Sequence, residues 1–236
     1  KKSKKVNGLY KPESQEIIIH NKNFKDDNSL IYTAIHEFAH HINYIKSGKL
    51  RVTKAHSSLF WGVFHKLLIK AESLGVYINI FETNLEFLKL TNEIKEKYLT
   101  TNGQLMKDFG KTLKTVMELC LKYNVRFEDY IDRGLLLSRT TAKSILDIYE
   151  LDVDPKLGFD NMKIIASIRD EDRRNESEKA MLNGHTPSMI KTQTRESIDT
   201  KENLKEFLEK EKNRIERTIK NLKTKLDEIE TKLEHF

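Results

Sequence analysis

One segment, residues 31–48, constrains the fold of this chain more than any other. Its sequence is IYTAIHEFAHHINYIKSG, and its apolar residues recur every three or four positions, the spacing of one face of an α-helix. Asp27, Asn28 and Ser29 are each suited to cap the start of such a helix, and Gly48 is suited to follow its end. The apolar positions are Ile31, Ile35, Phe38, Ile42 and Ile45. The segment is therefore predicted to be an amphipathic helix.

The same helix carries the pattern H-E-x-x-H in His36, Glu37 and His40. Residues i and i+4 lie one turn apart on one face of a helix, so two imidazoles can bind one metal ion. The glutamate beside them is suited to accept a proton from water at the metal. The plain alternative is a polar helix face, but the motif lies off the apolar stripe and next to the small Ala39. We therefore predict a metal site at His36 and His40, with Glu37 beside it.

A catalytic zinc site needs a third protein ligand and an open coordination position. Lys46 occupies the position at which the extended metzincin motif has its third histidine, so that motif is absent. His56 lies just ahead of a second amphipathic helix, which Ser57 or Ser58 can cap and Gly75 can end. Packing of the two apolar faces would bring this loop towards the first helix. The predicted metal ligands are His36, His40 and His56.

Two short β-like runs, VNGLY at 6–10 and QEIIIH at 15–20, precede the first helix. The connecting KPES suits a turn, so these runs are predicted to form a hairpin. The predicted fold class is α+β, mainly α. It comprises a small zincin-type domain at 1–80, built from the hairpin and two helices, a helical accessory region at 81–190 and a coiled-coil helix at 200–236.

The motifs around the three histidines resemble those of the SprT-like zinc metalloproteases, the family that includes Spartan. HEFAH at 36–40 is followed by AHSSLFW at 55–61, and the strand-like IIIHNKNF precedes the first helix. In that family, H-E-x-x-H and a later H-G-x-x-F provide three zinc ligands and a catalytic glutamate. The resemblance covers residues 6–75. It implies Zn²⁺ as the cofactor, a protein substrate and peptide hydrolysis, with the same three histidines as ligands and Glu37 as the base.

The chain departs from the family pattern at two points. Ser57 stands where the family usually has glycine, and the helix that the family has before the first strand is missing. Because the sequence begins without methionine, we expect that residues ahead of Lys1 have been removed. These departures concern the edge of the domain and leave the predicted ligands unchanged.

The accessory region is predicted to contain helices at 81–99 and 104–123, separated by TTNG, with a clear break at ELDVDPKLGFDN. Within it, residues 126–152 have the form of a helix-turn-helix. Any two packed helices with a glycine turn have the same pattern, so DNA binding here is one interpretation. The second helix opens with small polar and basic residues, Arg139, Thr140, Thr141 and Lys143.

The last helix has a seam with alternating spacings of four and three, the a/d pattern of a coiled coil. The seam positions are Leu208, Lys212, Ile215, Ile219, Leu222, Leu226, Ile229, Leu233 and Phe236. The expected partner is either a second copy of the chain, which would make a homo-oligomer, or another helix of the same chain. The plain alternative is a solvated charged helix without a partner.

Composition excludes several classes of protein. The single cysteine, Cys120, rules out an internal disulfide and a Cys-rich zinc site. The sequence has no apolar run of transmembrane length and no secretory signal at its start, which predicts a cytoplasmic protein with no membrane partner. The formal net charge of +6 is compatible with nucleic-acid contact without establishing it.

The predicted function is that of a zinc-dependent endopeptidase acting on DNA-associated protein, a substrate class implied by the SprT-like resemblance. Two alternatives use the same histidines. One is a regulatory protease that cleaves a repressor-type protein. The other is a non-catalytic DNA-binding or assembly protein in which the zinc site is structural.

Overall fold

The structure, a computed structural model, describes residues 6–46, 55–196 and 201–233. Within these ranges the chain is mostly helical, with one two-stranded antiparallel sheet, so the mixed and mainly α class is confirmed. The chain forms two compact units, Lys1–Lys191 and Thr192–Phe236. The candidate metal site lies in the first unit.

The chain begins with the predicted hairpin. Strands β1 (Gly8–Lys11) and β2 (Glu16–Ile19) pair antiparallel, with Gly8 opposite Ile19 and Lys11 opposite Glu16. The loop between them contains Gln15 in the left-handed region at φ 53°. Lys11 and Glu16 form an ion pair of 3.1 Å at the end of the ladder. A short 3₁₀ turn, Asn21–Asn23, then leads towards the first helix.

Helix α1 (Asp27–Lys46) carries the H-E-x-x-H motif. Its first turn is capped by Asp26, whose carboxylate accepts the N–H of Ser29 at 2.7 Å. The capping residue is therefore one position earlier than the predicted candidates, because the side chain of Asp26 reaches the backbone N–H three residues later in the chain. Gly48, predicted to follow the end of the helix, lies outside the described residues.

Helix α2 (Ser58–Ser73) packs against α1. Ser57 caps it by accepting the N–H of Phe60, and Gly75 follows its end at φ +69°, as predicted. An apolar core lies between the two helices. Its buried residues are Ala39, Phe60, Val63 and Phe64, and the partly buried residues around them are Ile35, Ile42, Leu59, Trp61, Leu67 and Leu68.

The buried face of α1 differs from the predicted apolar stripe. Phe38 and Ile45 are 43% and 44% exposed, whereas Glu37 and Asn43 are buried. The hairpin covers one side of α1 and α2 covers another, so the buried arc is wider than a single stripe and is rotated towards the motif. Glu37 thus lies inside the domain and not on a polar outer face.

The predicted break at TTNG is wrong. Helices α3 (Ile80–Thr83) and α4 (Leu85–Glu93) lead into a π-helical stretch, Ile94–Thr100, that continues without interruption into α5 (Thr101–Lys122). Gly103 is buried inside α5, where a Cβ atom would collide with the carbonyl oxygen of Pro155. This glycine serves close packing and does not end the helix.

The rest of the first unit is a helical array with two further core clusters, one centred on Leu113 and Ile145 and the other on Ile148 and Met162. The predicted break near Pro155 is confirmed, since it forms a short 3₁₀ turn followed by Gly158 at φ +72°. The helices are α6 (Phe127–Asp129) with a π-helical extension to Gly134, α7 (Arg139–Glu150), α8 (Phe159–Ala166) and α9 (Glu171–Leu182). Helix α10 (Pro187–Glu196) begins in this unit and continues past its last residue, Lys191.

The second unit contains one long helix, α11 (Lys201–Leu233), which follows the predicted range. Among the predicted seam residues, Phe236 lies outside the described residues, as do the side chains of Leu208 and Leu233. None of the described helices combines the length and the apolar composition needed to cross a bilayer.

Candidate metal centre

The three predicted ligands come together at the start of α2. His36 and His40 project from successive turns of α1, and His56 precedes the cap of α2. One nitrogen of each ring lies within 4.8 Å of the corresponding atoms of the other two rings. The Nε2 atoms of His36 and His56 are 3.1 Å apart. Two imidazoles from one helix and one from a loop thus converge on a single point.

The geometry of this group fits a tetrahedral metal ion. Zinc–nitrogen bonds of about 2.0–2.1 Å at tetrahedral angles place neighbouring ligand nitrogens about 3.3 Å apart. The distance between His36 and His56 is already close to this value. The ring centroids form a nearly regular triangle, with sides of 4.9, 5.1 and 4.9 Å. The side chain of His56 is exposed, so the cluster is open to solvent on the side of this residue.

Phe60 forms the floor of the site. Its ring centroid lies 5.0 Å from that of His36, 4.3 Å from that of His40 and 4.7 Å from that of His56. The side chain is fully buried, so it limits the rotation of all three imidazoles. Trp61 stacks against the outer face of His56 at 5.6 Å. These ring contacts hold the nitrogens in their convergent arrangement.

Burial also keeps two of the ligands neutral. Desolvation is the largest cause, and together with the potential positive charges of His36 and His56 it lowers the pKa of His40 from 6.5 to about 4. The pKa of His36 is lowered by the same two causes, burial first and then His56. Both rings are therefore unprotonated at neutral pH, which is the form that binds a metal.

Glu37 lies between the ligands and the hairpin. Burial raises the pKa of its carboxyl group, while a hydrogen bond from the backbone N–H of Tyr10 partly offsets this rise. A Cβ atom added to Gly8 would lie 2.8 Å from Cγ of Glu37 and 2.9 Å from its Oε1. Strand β1 therefore approaches the carboxylate so closely that only glycine fits. A buried carboxylate held in this way is suited to accept and release a proton.

The contribution of Gly8 and Tyr10 was missed in the sequence. Residues 8 and 10 lie on the same face of a strand, and a glycine inside a strand often marks a close approach of the backbone. That signal was present in VNGLY, but the sequence does not indicate which part of the chain packs against this face.

Two polar neighbours of the motif belong to a separate group. His41 is hydrogen-bonded through Nδ1 to the hydroxyl group of Tyr10 at 3.1 Å. Tyr44 packs edge-on against the same tyrosine, with centroids 6.2 Å apart. Both side chains therefore contact the hairpin, and His41 does not join the three-histidine cluster.

The segment with the helix-turn-helix pattern lies in the helical array. Ser138 caps α7 by accepting the N–H of Thr141 at 3.1 Å, and the buried face of α7 packs against α5. The guanidinium group of Arg139 donates to both carboxylate oxygens of Asp132, at 3.2 Å and 2.9 Å from Nε. Lys143 is exposed. DNA binding by this helix stays a prediction.

Comparisons of the chain with models of protein families, with curated proteins and with solved structures found no match. The SprT-like identity of residues 6–75 accordingly stays a prediction from the motif.

Proposed function

We propose that this chain is a zinc-dependent endopeptidase with a zincin-type domain of the SprT-like kind. The observation that carries the proposal is the convergence of His36, His40 and His56 on one point, with the buried carboxylate of Glu37 beside it. A zinc ion held by these imidazoles would supply Lewis-acid activation of water and polarisation of a scissile carbonyl.

Glu37 has the proton-transfer role in this reaction. Its carboxylate accepts a proton from the attacking water and then delivers that proton to the nitrogen of the leaving amine. The raised pKa of the buried carboxyl group brings its proton affinity nearer to neutrality, which suits a group that must both take and give a proton. The N–H of Tyr10 and the absence of a side chain at Gly8 hold the carboxylate in place.

The proposed substrate is an extended peptide segment of a DNA-associated protein. In the part of the chain that the structure describes, the hairpin is the only sheet and each strand pairs on one side only. An extended peptide can add to such an edge through backbone hydrogen bonds, a mode of binding that tolerates many side chains. Strand β2 is proposed to offer this edge. The net charge of +6 is compatible with a substrate held near nucleic acid.

The test of the proposal is Glu37→Gln, assayed with a fluorogenic casein substrate and with a DNA-bound protein. Glutamine keeps the shape of the side chain but cannot accept the proton. We expect about one zinc per chain to remain and cleavage to fall by about 10²–10⁴-fold. The matched control is Glu13→Gln in the hairpin loop, which should cleave at the parent rate. Cleavage by Glu37→Gln at the parent rate would exclude the proposed mechanism.

The metal site has its own test, which does not depend on a substrate. His56→Ala should lose most of the bound zinc, measured by elemental analysis and by competition with a chromogenic chelator. His41→Ala is the control, since His41 adjoins a proposed ligand in sequence but contacts Tyr10. If both the parent and Glu37→Gln bind zinc but neither cleaves a substrate, the result would favour the alternative of a non-catalytic binding protein with a structural zinc site. A requirement for DNA in cleavage would favour DNA-associated protein over a repressor-type substrate.

A further inference from the structure

Helix α11 exposes a continuous apolar seam. At its described seam positions, the apolar side chains are about half exposed. Their exposed fractions are 51% for Ile215, 48% for Ile219, 60% for Leu222, 54% for Leu226 and 54% for Ile229. Most of the stability of a helix in a protein comes from packing of its apolar face. The seam is therefore suited to pack against a partner along several turns.

The sequence of α11 is complementary to itself when two copies run in opposite directions. In an antiparallel pair centred between residues 220 and 221, each a position lies opposite a d position. Ile219 then packs against Leu222 of the second copy, and Ile215 against Leu226 of the second copy. Each of these layers combines one β-branched residue with one leucine. The two-fold axis repeats every layer, so one seam forms a closed interface.

Lys212 also favours opposite directions. It occupies a seam position, and in a parallel pair it would face the same lysine of the second copy, which places two ammonium groups together in the interface. In the antiparallel pair it lies opposite Ile229 and next to Glu230 of the second copy. A carboxylate is then available to the lysine at each end of the seam.

The flanking charges are consistent with the same direction. Glu216 and Lys223 both occupy e positions, and the antiparallel pair brings Glu216 of each copy beside Lys223 of the other. In a parallel pair, Lys223 would instead face the uncharged Thr218. At each end of the antiparallel overlap, Glu209 of one copy lies beside Glu230 of the other, and these like charges repel. Lys212, in the same copy as that Glu209, offsets the repulsion. A parallel pair would have one favourable contact of this kind, between Lys225 and Glu230.

We infer that α11 is a dimerisation element that pairs antiparallel with α11 of a second copy of this chain. The interface is independent of the proposed peptidase activity, since it uses no residue of the candidate metal centre. It makes the protein a symmetric dimer in which the first turns of one α11 lie beside the last turns of the other.

The experiment combines mass and distance measurements on the full chain. Light scattering after size-exclusion chromatography should give twice the chain mass of 27.7 kDa. Leu222→Asp should reduce this to the mass of one chain, while Thr224→Asp, on the outer face of the same helix, should leave the dimer intact. A monomer at all concentrations, a larger assembly, or a dimer unaffected by Leu222→Asp would overturn the inference.

Direction is measured with spin labels at Arg217→Cys or Thr231→Cys in a Cys120→Ala background. In the antiparallel pair, the axial separations are about 10 Å at position 217 and about 30 Å at position 231, from a rise of about 1.5 Å per residue. Similar distances at both sites would show a parallel dimer and overturn the inference.

Lys223→Glu should raise the dimer dissociation constant about 10-fold, as expected for two reversed surface pairs, and adding Glu216→Lys should restore it. In a parallel dimer, Lys223→Glu would have little effect, because Lys223 would face the uncharged Thr218.

Discussion

Gly8→Ala is expected to impair the proposed peptide hydrolysis while leaving the proposed zinc site occupied. The added Cβ atom would lie 2.8 Å from Cγ of Glu37, 2.9 Å from its Oε1 and 2.8 Å from Cγ2 of Thr33. Carbon atoms in normal contact are about 3.5–4.0 Å apart, so strand and helix must separate by roughly 0.7 Å or the carboxylate must move. Either adjustment displaces the proposed catalytic base.

The size of the effect follows from this displacement. A misplacement of about 1 Å at a reacting group costs about 10²-fold in rate, so we expect kcat to fall by about 10–100-fold. Overpacking of this kind destabilises a fold by about 1–3 kcal/mol. The proposed zinc ligands come from α1 and from the residue before the cap of α2, whereas the atoms nearest the added Cβ belong to Glu37 and Thr33. Zinc content should therefore stay at about one per chain.

The assay measures kcat, zinc content and urea unfolding of the same preparation. A second variant, Gly8→Ala with Thr33→Ser, separates the two clashes. Serine lacks the methyl group but keeps the hydroxyl that donates to the carbonyl of Ser29. This pair should recover part of the stability but not the rate, because the contact with Glu37 remains. Parent-like kcat in Gly8→Ala would refute the proposed role of the strand, and full recovery in the double variant would assign the effect to Thr33.

Three further outcomes are expected. The metal-free protein should lose stability as the pH falls from 6.5 towards 4, because the lowered pKa values of His36 and His40 let the unfolded chain bind more protons than the folded one. The pKa of His40, lowered from 6.5 to about 4, sets an upper limit of about 3 kcal/mol, which solvent screening reduces because the ring is only half-buried. The raised pKa of Glu37 acts in the opposite direction. The measurement is therefore urea unfolding of metal-free Glu37→Gln across this window, and an unchanged midpoint would contradict the prediction. Phe60→Leu should weaken zinc binding in a chelator competition, since the ring that limits rotation of the ligands is lost. Leu113→Ala should cost about 2–5 kcal/mol in thermal unfolding with no change in zinc affinity, because it opens a cavity in a separate cluster.

Much of the local structure was predictable from the sequence. The hairpin, α1, α2 and α11 follow from apolar periodicity and turn residues, and Ser57 and Gly75 have their predicted positions at the ends of α2. The histidines of α1 share a face because of helix geometry alone. These features depend on neighbours within a few residues along the chain, which is why sequence spacing indicates them.

The predictions that were wrong concern features that depend on contacts between distant segments of the chain. TTNG looks like a helix break, but Gly103 is a packing position against Pro155. The exposure of Phe38 and the burial of Glu37 depend on how the hairpin and α2 cover α1. No spacing rule contains this information, because the apolar stripe indicates only the average direction of the core.

By itself, the sequence determined that a helix would present His36 and His40 together with Glu37 between them, since four residues make about one turn. Only the tertiary structure decided that His56 reaches the same point, that Phe60 supports all three rings and that Gly8 brings strand β1 against the carboxylate. The physical reason is that the geometry of a helix repeats every few residues. A metal site and a buried base instead require distant segments to pack together, and the number of residues between those segments does not indicate how they pack.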